Sequence, residues 1–355
     1  MSDRHQLTDS DTRAQGSDVE PGGPAEEKAP RRRRGRRIAL IVLVVVVLLA
    51  GGGALAGGLY YRSVDNSIER VDAFEGVPEE SRPQVEAKGA MNIMILGSDS
   101  RDPESTGGSR SDTIILAHLP KDRSSAQLIS IPRDTWTAVP KSKEGRGGRD
   151  AKINAAYAWG GVPLMVQTVE KFSGVRVDNV AMVDFAGFKE IIDALGGVEI
   201  DVEKGFTTKY SLIGTRTFEK GRQTMDGAAA LDYARERHAF PDGDFARIRH
   251  QQQVIKAILD KAASGGVLTN PAKLNSFVRA TSDSVAVDKS LSLVDLAMEI
   301  RGLRGGNLTF FTCPVKGTGR VGSESVVFPD PTRSKQLFDA VRRDSVPEIL
   351  AISGK

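Results

Sequence analysis

Three stretches within residues 92–135 decide the fold: NIMILGSDSR (Asn92–Arg101), GGSRSDTIILAHLP (Gly107–Pro120) and AQLISIPRDT (Ala126–Thr135). Their apolar runs, Asn92–Leu96, Thr113–Leu119 and Ala126–Ile131, are joined by polar turns, which is the pattern of an antiparallel meander. In an up-down-up meander the end of strand one, the start of strand two and the end of strand three share one edge. Asp99 and Arg101 follow the first run, Arg110 and Asp112 precede the second, and Arg133 and Asp134 follow the third. Carboxylates and guanidiniums are therefore predicted to collect on one rim of a sheet. That mixture suits a divalent cation bridged to a phosphate.

Upstream of the meander the chain changes character. Residues 1–30 are rich in Asp, Glu, Pro, Gly and Ser and poor in large apolar residues, so a disordered tail is predicted. RRRRGRR (Arg31–Arg37) then abuts Ile38–Tyr61, which carries no charge. About 20 apolar residues span a bilayer core, and the run is too long for the apolar part of a signal peptide. The arginines set a cytoplasmic N-terminus, and Tyr60, Tyr61 and Arg62 read as an interfacial belt on the far side. The predicted organisation is a basic cytoplasmic tail over 1–37, one transmembrane helix over 38–61, a stalk over 62–90 with Pro78 and Pro83, and an extracytoplasmic domain over 91–355.

Charge and cysteine content narrow the function classes. Residues 1–37 hold nine Lys/Arg and seven Asp/Glu, a net of +2, which leaves +1 of the chain's +3 for the remainder. The outer domain is close to neutral, so it is no general nucleic-acid binder, and any anion site in it must be local. A lone cysteine, Cys313, excludes an intrachain disulfide framework; within LTFFTCPV it reads as a buried small hydrophobe. The sequence has no GxxxxGK[ST] loop, HExxH, CxxC or GxSxG, and His5, His118, His238 and His250 have no metal spacing. His118 reads as a packed core residue.

After the meander, helices are predicted over Lys152–Trp159 and Pro163–Phe172, broken at Gly160-Gly161. A strand over Val177–Val183, a helix over Phe185–Leu195 and a strand over Val198–Val202 follow. Residues 203–223 read as a hairpin or exposed loop. Helices over Asp226–Arg237 and Asp244–Ala263 come next, then helices near Pro271–Ala280 and Leu291–Leu303. Strands over Leu308–Cys313 and Ser325–Phe328 and a helix near Arg333–Arg343 complete the chain. The fold class is α/β (mixed α+β): a central mixed sheet containing an antiparallel meander, covered by helices and preceded by one transmembrane helix.

A second polar constellation lies in YARERHAFPDGDFARIRHQQQVIKAIL (Tyr233–Leu259). At about 100° per residue, Phe245, Ile248, Gln252, Ile255 and Leu259 share one side of a helix. Arg247 and Gln251 lie together on its shoulder, with Arg249 nearly opposite. Arg247 with Gln251 is the functional pair and Arg249 is solvated. Asp242 or Asp244 is placed to cap the helix. Arg235 and Arg237 fall at the end of the preceding helix, where the dipole favours cations, but two arginines there plus Arg247 exceed what capping needs. Arginine is the residue for bidentate phosphate contact.

GSDSR (97–101), RSDT (110–113), SIPRDT (130–135), KINAAYAWGG (152–161), VDFAGF (183–188), DALGGVEI (193–200), DGAAALDYARER (226–237) and DGDFARIRHQQQ (242–253) occur in this order in the LytR-CpsA-Psr family. The chain resembles that family over roughly residues 90–265, and its Arg- and Gly-rich composition is similar to that of actinobacterial-type members. His250 departs from the arginine often found there. The resemblance implies an enzyme at the outer membrane face that moves a glycopolymer from a polyprenyl pyrophosphate carrier to the 6-hydroxyl of peptidoglycan muramic acid, forming a phosphodiester. It implies Asp99 and Asp112 as ligands of Mg²⁺ or Mn²⁺, and Arg133, Arg235, Arg237, Arg247 and Gln251 as the pyrophosphate clamp, with Arg101 and Arg110 supporting it. Asp134 is a candidate general base, and the lipid tail is expected in an apolar groove roofed by the helices after Lys152. A hydrolase of the same lipid pyrophosphate and a membrane-anchored regulator or binding module are the alternatives. Polymer identity and oligomeric state are not specified by the residues.

Overall fold

The computed structural model describes residues 68–98, 111–208, 214–267, 270, 272–273, 276–277, 285–300, 302–303 and 305–353. The predicted tail and span, together with Asp99, Arg101 and Arg110, lie outside them. Among the described residues no helix is long and apolar enough to cross a membrane.

The meander is present. β1 (Glu69–Val71) precedes β2 (Met91–Ser98), β3 (Ser111–Leu119) and β4 (Ala126–Ser130); β2 pairs antiparallel with β3, and β3 with β4. β5 (Trp136–Val139) and β6 (Arg149–Lys152) form a separate hairpin ahead of helix α1 (Ala155–Ser173). β7 (Asn179–Asp184), α2 (Phe185–Ala194), β8 (Val198–Val202), β9 (Phe206–Thr207), β10 (Thr217–Phe218), β11 (Gly221–Met225), α3 (Gly227–Arg235) and α4 (Asp244–Ser264) follow. The remaining elements are β12 (Val285–Asp288), α5 (Leu293–Ile300), β13 (Leu308–Thr312), β14 (Val315–Val321), β15 (Glu324–Pro329), α6 (Pro331–Arg342) and α7 (Val346–Ser353). The main sheet has strand order β1-β12-β7-β2-β3-β4-β13. It is mixed, because β7 joins β2, and β13 joins β4, in parallel.

Strand alternation sorts the side chains onto two faces. Met94 and Leu96, Ile114 and Leu116, Ile129 and Val180 pack against Met165, Val166 and Val169 of α1 and Leu337 and Phe338 of α6. Ile93, Ile115, Ala117 and Leu128 face the other way, toward Ile255 of α4 and Leu296 and Ile300 of α5. A sheet covered on both faces accounts for the near-continuous apolar runs of β3 and β4. A smaller core joins Ile192 of α2, Val198 and Ile200 of β8, Met225 of β11, Ala230 and Tyr233 of α3 and Val254 of α4. Asp184 and Asp226 cap α2 and α3 by accepting from Gly187 N at 2.6 Å and Ala229 N at 2.7 Å.

The Gly160-Gly161 break falls where the sequence puts it. Gly161 has φ +61 and ψ −153, a conformation essentially confined to glycine. α1 is therefore a short turn, a kink and a longer helix.

Three expectations need correction. Residues 68–90 do not form a free stalk: β1 pairs in parallel with β12, Ala73 is buried in the core, and Arg82 binds Glu170 of α1 at 2.8 Å with both side chains under a tenth exposed. Lys152 ends a strand rather than starting a helix. The β14–β15 hairpin, read only as a strand over 325–328, extends back to Val315 because VKGTGRV pairs across the tight turn at Gly322. His118 is fully buried between Asn92 at 2.8 Å and Asp344 at 3.0 Å. Cys313 is buried, and burial pushes its thiol up to about 12.

Candidate active site

The turn after β4 places the first pair of polar residues. Thr135 N and Oγ1 both donate to the Pro132 carbonyl, at 3.0 and 2.7 Å, and Asn154 N donates to the Arg133 carbonyl at 3.2 Å. With the backbone fixed on both sides, the consecutive residues Arg133 and Asp134 line different cavities. Arg133 reaches the start of β3, where its guanidinium pairs with the Asp112 carboxylate.

The other side of that cavity comes from the junction of α3 and α4. Arg235 closes α3 and lies 4.5 Å over the Phe185 ring. Glu236, 5 % exposed, accepts from the backbone N–H groups of Arg237, His238 and Ala239 at 2.8, 2.6 and 3.1 Å. This carboxylate shapes the loop that presents Arg237, which lies beyond the helix and not on its last turn as predicted.

α4 starts without a side-chain cap: Gly243 sits at φ +46 in the capping position, with neither Asp242 nor Asp244 serving as the predicted cap. The Asp244 carboxylate turns instead to three guanidiniums, Arg247 at 2.8 Å, Arg237 at 3.6 Å and Arg133 at 3.8 Å. Arg247 and Gln251, one helical turn apart, complete the wall.

The result is a cavity of about 240 Å³ lined by Arg133, Arg235, Arg237, Arg247, Gln251 and Asp112, with Thr113, Phe185, Glu236 and His238. Burial pulls the Arg133 guanidinium down, but Asp112 and Asp244 outweigh it and its pKa is raised. For Arg247 burial dominates, Asp244 opposes it, Arg133 adds to it, and the net shift is downward. Arg247 therefore lacks full compensation for its charge. The Nε atoms of both arginines are buried without a hydrogen-bond partner. Converging guanidiniums, with Arg247 incompletely compensated, form a site for a polyanion with several acceptor oxygens.

All the predicted clamp residues within the described chain thus come together. Asp134 does not join them. Its Oδ2 lies 3.8 Å from Arg133 Nε and its Oδ1 3.3 Å from Lys152 Nζ, on the neighbouring cavity. That cavity, beside residues 149–159, carries charged and aromatic side chains where the sequence predicts an apolar groove. Arg249 is exposed and paired with Asp242 at 2.5 Å, as its helical position predicts. Asp244, Glu236 and Phe185 are contributors the sequence reading missed. Asp244 had a signal, a carboxylate one turn before Arg247 on the same helix.

For a divalent cation the donor set is partial. Among the described residues no three His, Cys, Asp or Glu side chains cluster as a cage, and Asp112 contributes one carboxylate, 28 % exposed. Mg²⁺ commonly takes one or two carboxylates and fills its shell with phosphate oxygens and water. Asp112 beside an anion cavity fits that pattern.

The LytR_cpsA_psr family model matches residues 60–343. The cell wall biosynthesis protein LcpA of Corynebacterium glutamicum is 32% identical over 301 residues, covering 74% of this chain and 57% of LcpA; the chain thus spans little more than half the length of that relative. TagU of Bacillus cereus, named a polyisoprenyl-teichoic acid–peptidoglycan teichoic acid transferase, is 37% identical over 224 residues, covering 61% of this chain and 69% of TagU. The crystal structure of B. subtilis TagV aligns with a TM-score of 0.60 at 29% identity, over 74% of this chain and 98% of that one. On the ordered motifs, the fold and these matches, the chain belongs to the LytR-CpsA-Psr family.

Proposed function

We propose that this protein transfers a glycopolymer from a polyprenyl pyrophosphate carrier to the 6-hydroxyl of peptidoglycan muramic acid at the outer face of the membrane. The observation that carries the reading is the convergence of Arg133, Arg235, Arg237 and Arg247 on one cavity beside Asp112. Relatives named as teichoic acid–peptidoglycan transferases support the same reaction class.

The chemistry follows from the linkage. The acceptor oxygen attacks the phosphorus that bears the sugar, the anhydride P–O bond breaks, and polyprenyl phosphate leaves with the bonding pair. The anhydride supplies the driving force, so no nucleotide is needed. Catalysis is then positioning and neutralisation of charge on the phosphoryl oxygens. Arg133, Arg247 and Gln251 grip the pyrophosphate from the sheet rim and α4, and Arg235 and Arg237 from the α3–α4 junction. Asp112 and Asp99 are the proposed holders of Mg²⁺ or Mn²⁺, which when bound would add further positive charge at those oxygens. Asp134, on the neighbouring cavity, takes the hydroxyl proton as general base.

The test incubates the full chain with a synthetic polyprenyl-pyrophosphate oligosaccharide, peptidoglycan oligomers and Mg²⁺, and weighs the products. A phosphodiester conjugate is expected from the wild type and none from Arg133→Ala. Free sugar phosphate in its place would make the protein a hydrolase, and tight lipid binding without turnover would make it a binding module.

A further inference from the structure

The cavity on the far side of the Arg133–Asp134 turn is larger than the arginine cavity, about 490 Å³, within the range of small-molecule sites. The chain contains two tryptophans, and both Trp136 and Trp159 line this cavity, each half-buried. Trp159 packs its inner side against the main core, and the exposed Arg149 guanidinium stands 5.2 Å from the centre of its ring. Lys152 Nζ lies between two carboxylates, Asp134 Oδ1 at 3.3 Å and Glu324 Oε2 at 3.9 Å.

Several unrelated elements are needed to assemble this wall. The β5–β6 register sets Trp136 opposite Lys152. The α1 kink at Gly160-Gly161 isolates Trp159 on a single turn; a Cβ at Gly160 would fall 2.7 Å from Leu164 Cβ. The β14–β15 hairpin is anchored to the Arg133–Asp134 turn by Val327 N donating to the Asp134 carbonyl at 2.9 Å, and its turn end delivers Glu324.

Two half-buried indoles beside a forked donor, Arg149, and the carboxylates of Asp134, Asp150 and Glu324 match a pyranose ring, whose C–H faces are apolar and whose edge is a belt of hydroxyls that both donate and accept. We infer that this cavity is a pyranose subsite, and that its occupant is the acceptor glycan. The inference rests on the transferase reading and extends it. Asp134 joins the two cavities. It shares a turn with Arg133 of the anion cavity while its carboxylate lines the tryptophan cavity. A sugar bound on the tryptophans sits beside the Asp134 carboxylate, which takes the proton of its hydroxyl as that oxygen attacks. A donor sugar would instead extend from the pyrophosphate on the arginine side.

Because both tryptophans line the cavity, intrinsic fluorescence of the full chain reports its occupancy directly. The probes are a soluble N-acetylglucosamine–N-acetylmuramic acid tetrasaccharide, inorganic pyrophosphate followed by calorimetry, and UDP-N-acetylglucosamine as a sugar carried on pyrophosphate. The tetrasaccharide is expected to change the emission saturably, with or without pyrophosphate present. Trp136→Phe and Trp159→Phe should each retain a response from the remaining indole. Arg149→Ala and Glu324→Gln, both at exposed positions, should weaken the tetrasaccharide about tenfold and leave pyrophosphate binding unchanged.

No emission change with the tetrasaccharide, while pyrophosphate still binds, overturns the subsite and leaves the transferase reading standing. A response to the sugar diphosphate that pyrophosphate displaces, with none to the tetrasaccharide, assigns the cavity to the donor and overturns the acceptor assignment. A tetrasaccharide response without any pyrophosphate binding supports the subsite and counts against the arginine clamp.

Discussion

Arg247 and His250 lie three residues apart on α4 and are equally hidden, 5 % and 6 % exposed, yet one stays a cation and the other a neutral ring. Burial disfavours the charge of both. Arg247 keeps its charge because guanidinium does not deprotonate in proteins and because Asp244 sits 2.8 Å away. His250 stacks on Phe206 with centroids 5.5 Å apart, packs against Tyr233 and Phe240, and holds Nδ1 3.1 Å from the Tyr233 carbonyl. Burial takes its pKa to about 4. Arg247 offers an incompletely compensated cation to a cavity, and His250, its neighbour about 60° round the helix, completes an aromatic core. What packs opposite, carboxylates or arenes, decides which.

The sharpest way to break this division lies in the arginine cavity. Arg133→Ala should lower transfer about 10³-fold, roughly 4 kcal/mol of barrier, while the domain keeps its cooperative melt. Transfer within tenfold of wild type would remove that cavity from the chemistry.

The neutral ring is tested by pH. The His250 pKa is lower in the folded state, about 4, than its ordinary 6.5, so the unfolded chain binds a proton first as pH falls. The stability tied to the neutral ring is complete above about pH 6.5 and is lost between there and pH 4, by about 3 kcal/mol at most. His118 is also lowered, by burial against the opposing pull of Asp344, and slopes the same way. The measurement is therefore a difference. His250→Phe should flatten the stability change seen by denaturant unfolding between pH 7 and pH 4.5, and an unchanged slope would mean that the ring titrates in the folded chain as it does in the unfolded one.

Asp244 joins the two cases, since it supplies the counter-charge that His250 does not need. Asp244→Asn should cost about 2 kcal/mol in the absence of anions, because breaking a buried pair leaves Arg247 uncompensated. Inorganic pyrophosphate should then raise Tm more in the variant than in the wild type, since the ligand restores what the carboxylate supplied. Equal increments would show that Asp244 is not compensating the clamp.

What was readable in the sequence was local. The three meander strands follow from short apolar runs, and Arg247 with Gln251 from one turn of helical spacing. Arg235 and Arg133 follow from their places at element ends. Long-range contacts were not readable. Glu69 pairs with Ala286 and Arg82 with Glu170, so a polar, proline-containing stretch that looks like a stalk is held in the fold by partners far along the chain. Asp244 looks like a cap by position, but Arg133 and Arg237 compete for it, and neither proximity is visible in one dimension. Trp136 and Trp159 converge only through a hairpin register and a glycine kink.

The smallest effect is the one that tests whether position on α4 matters at all. Arg249 sits two residues from Arg247, with the same chemistry and a shorter ion pair, 2.5 Å to Asp242. Distance alone would rank it above Arg247. Exposure reverses the order: its side chain is 48 % exposed and that of Asp242 40 %, so water already solvates both charges and the pair contributes little. Arg249→Ala should change stability by no more than about 0.5 kcal/mol and leave transfer within twofold of wild type by about the same measure. A loss comparable to that of Arg133→Ala would mean that α4 presents a different face to the substrate than to its own core, and the contrast between Arg247 and His250 would have to be redrawn around that face.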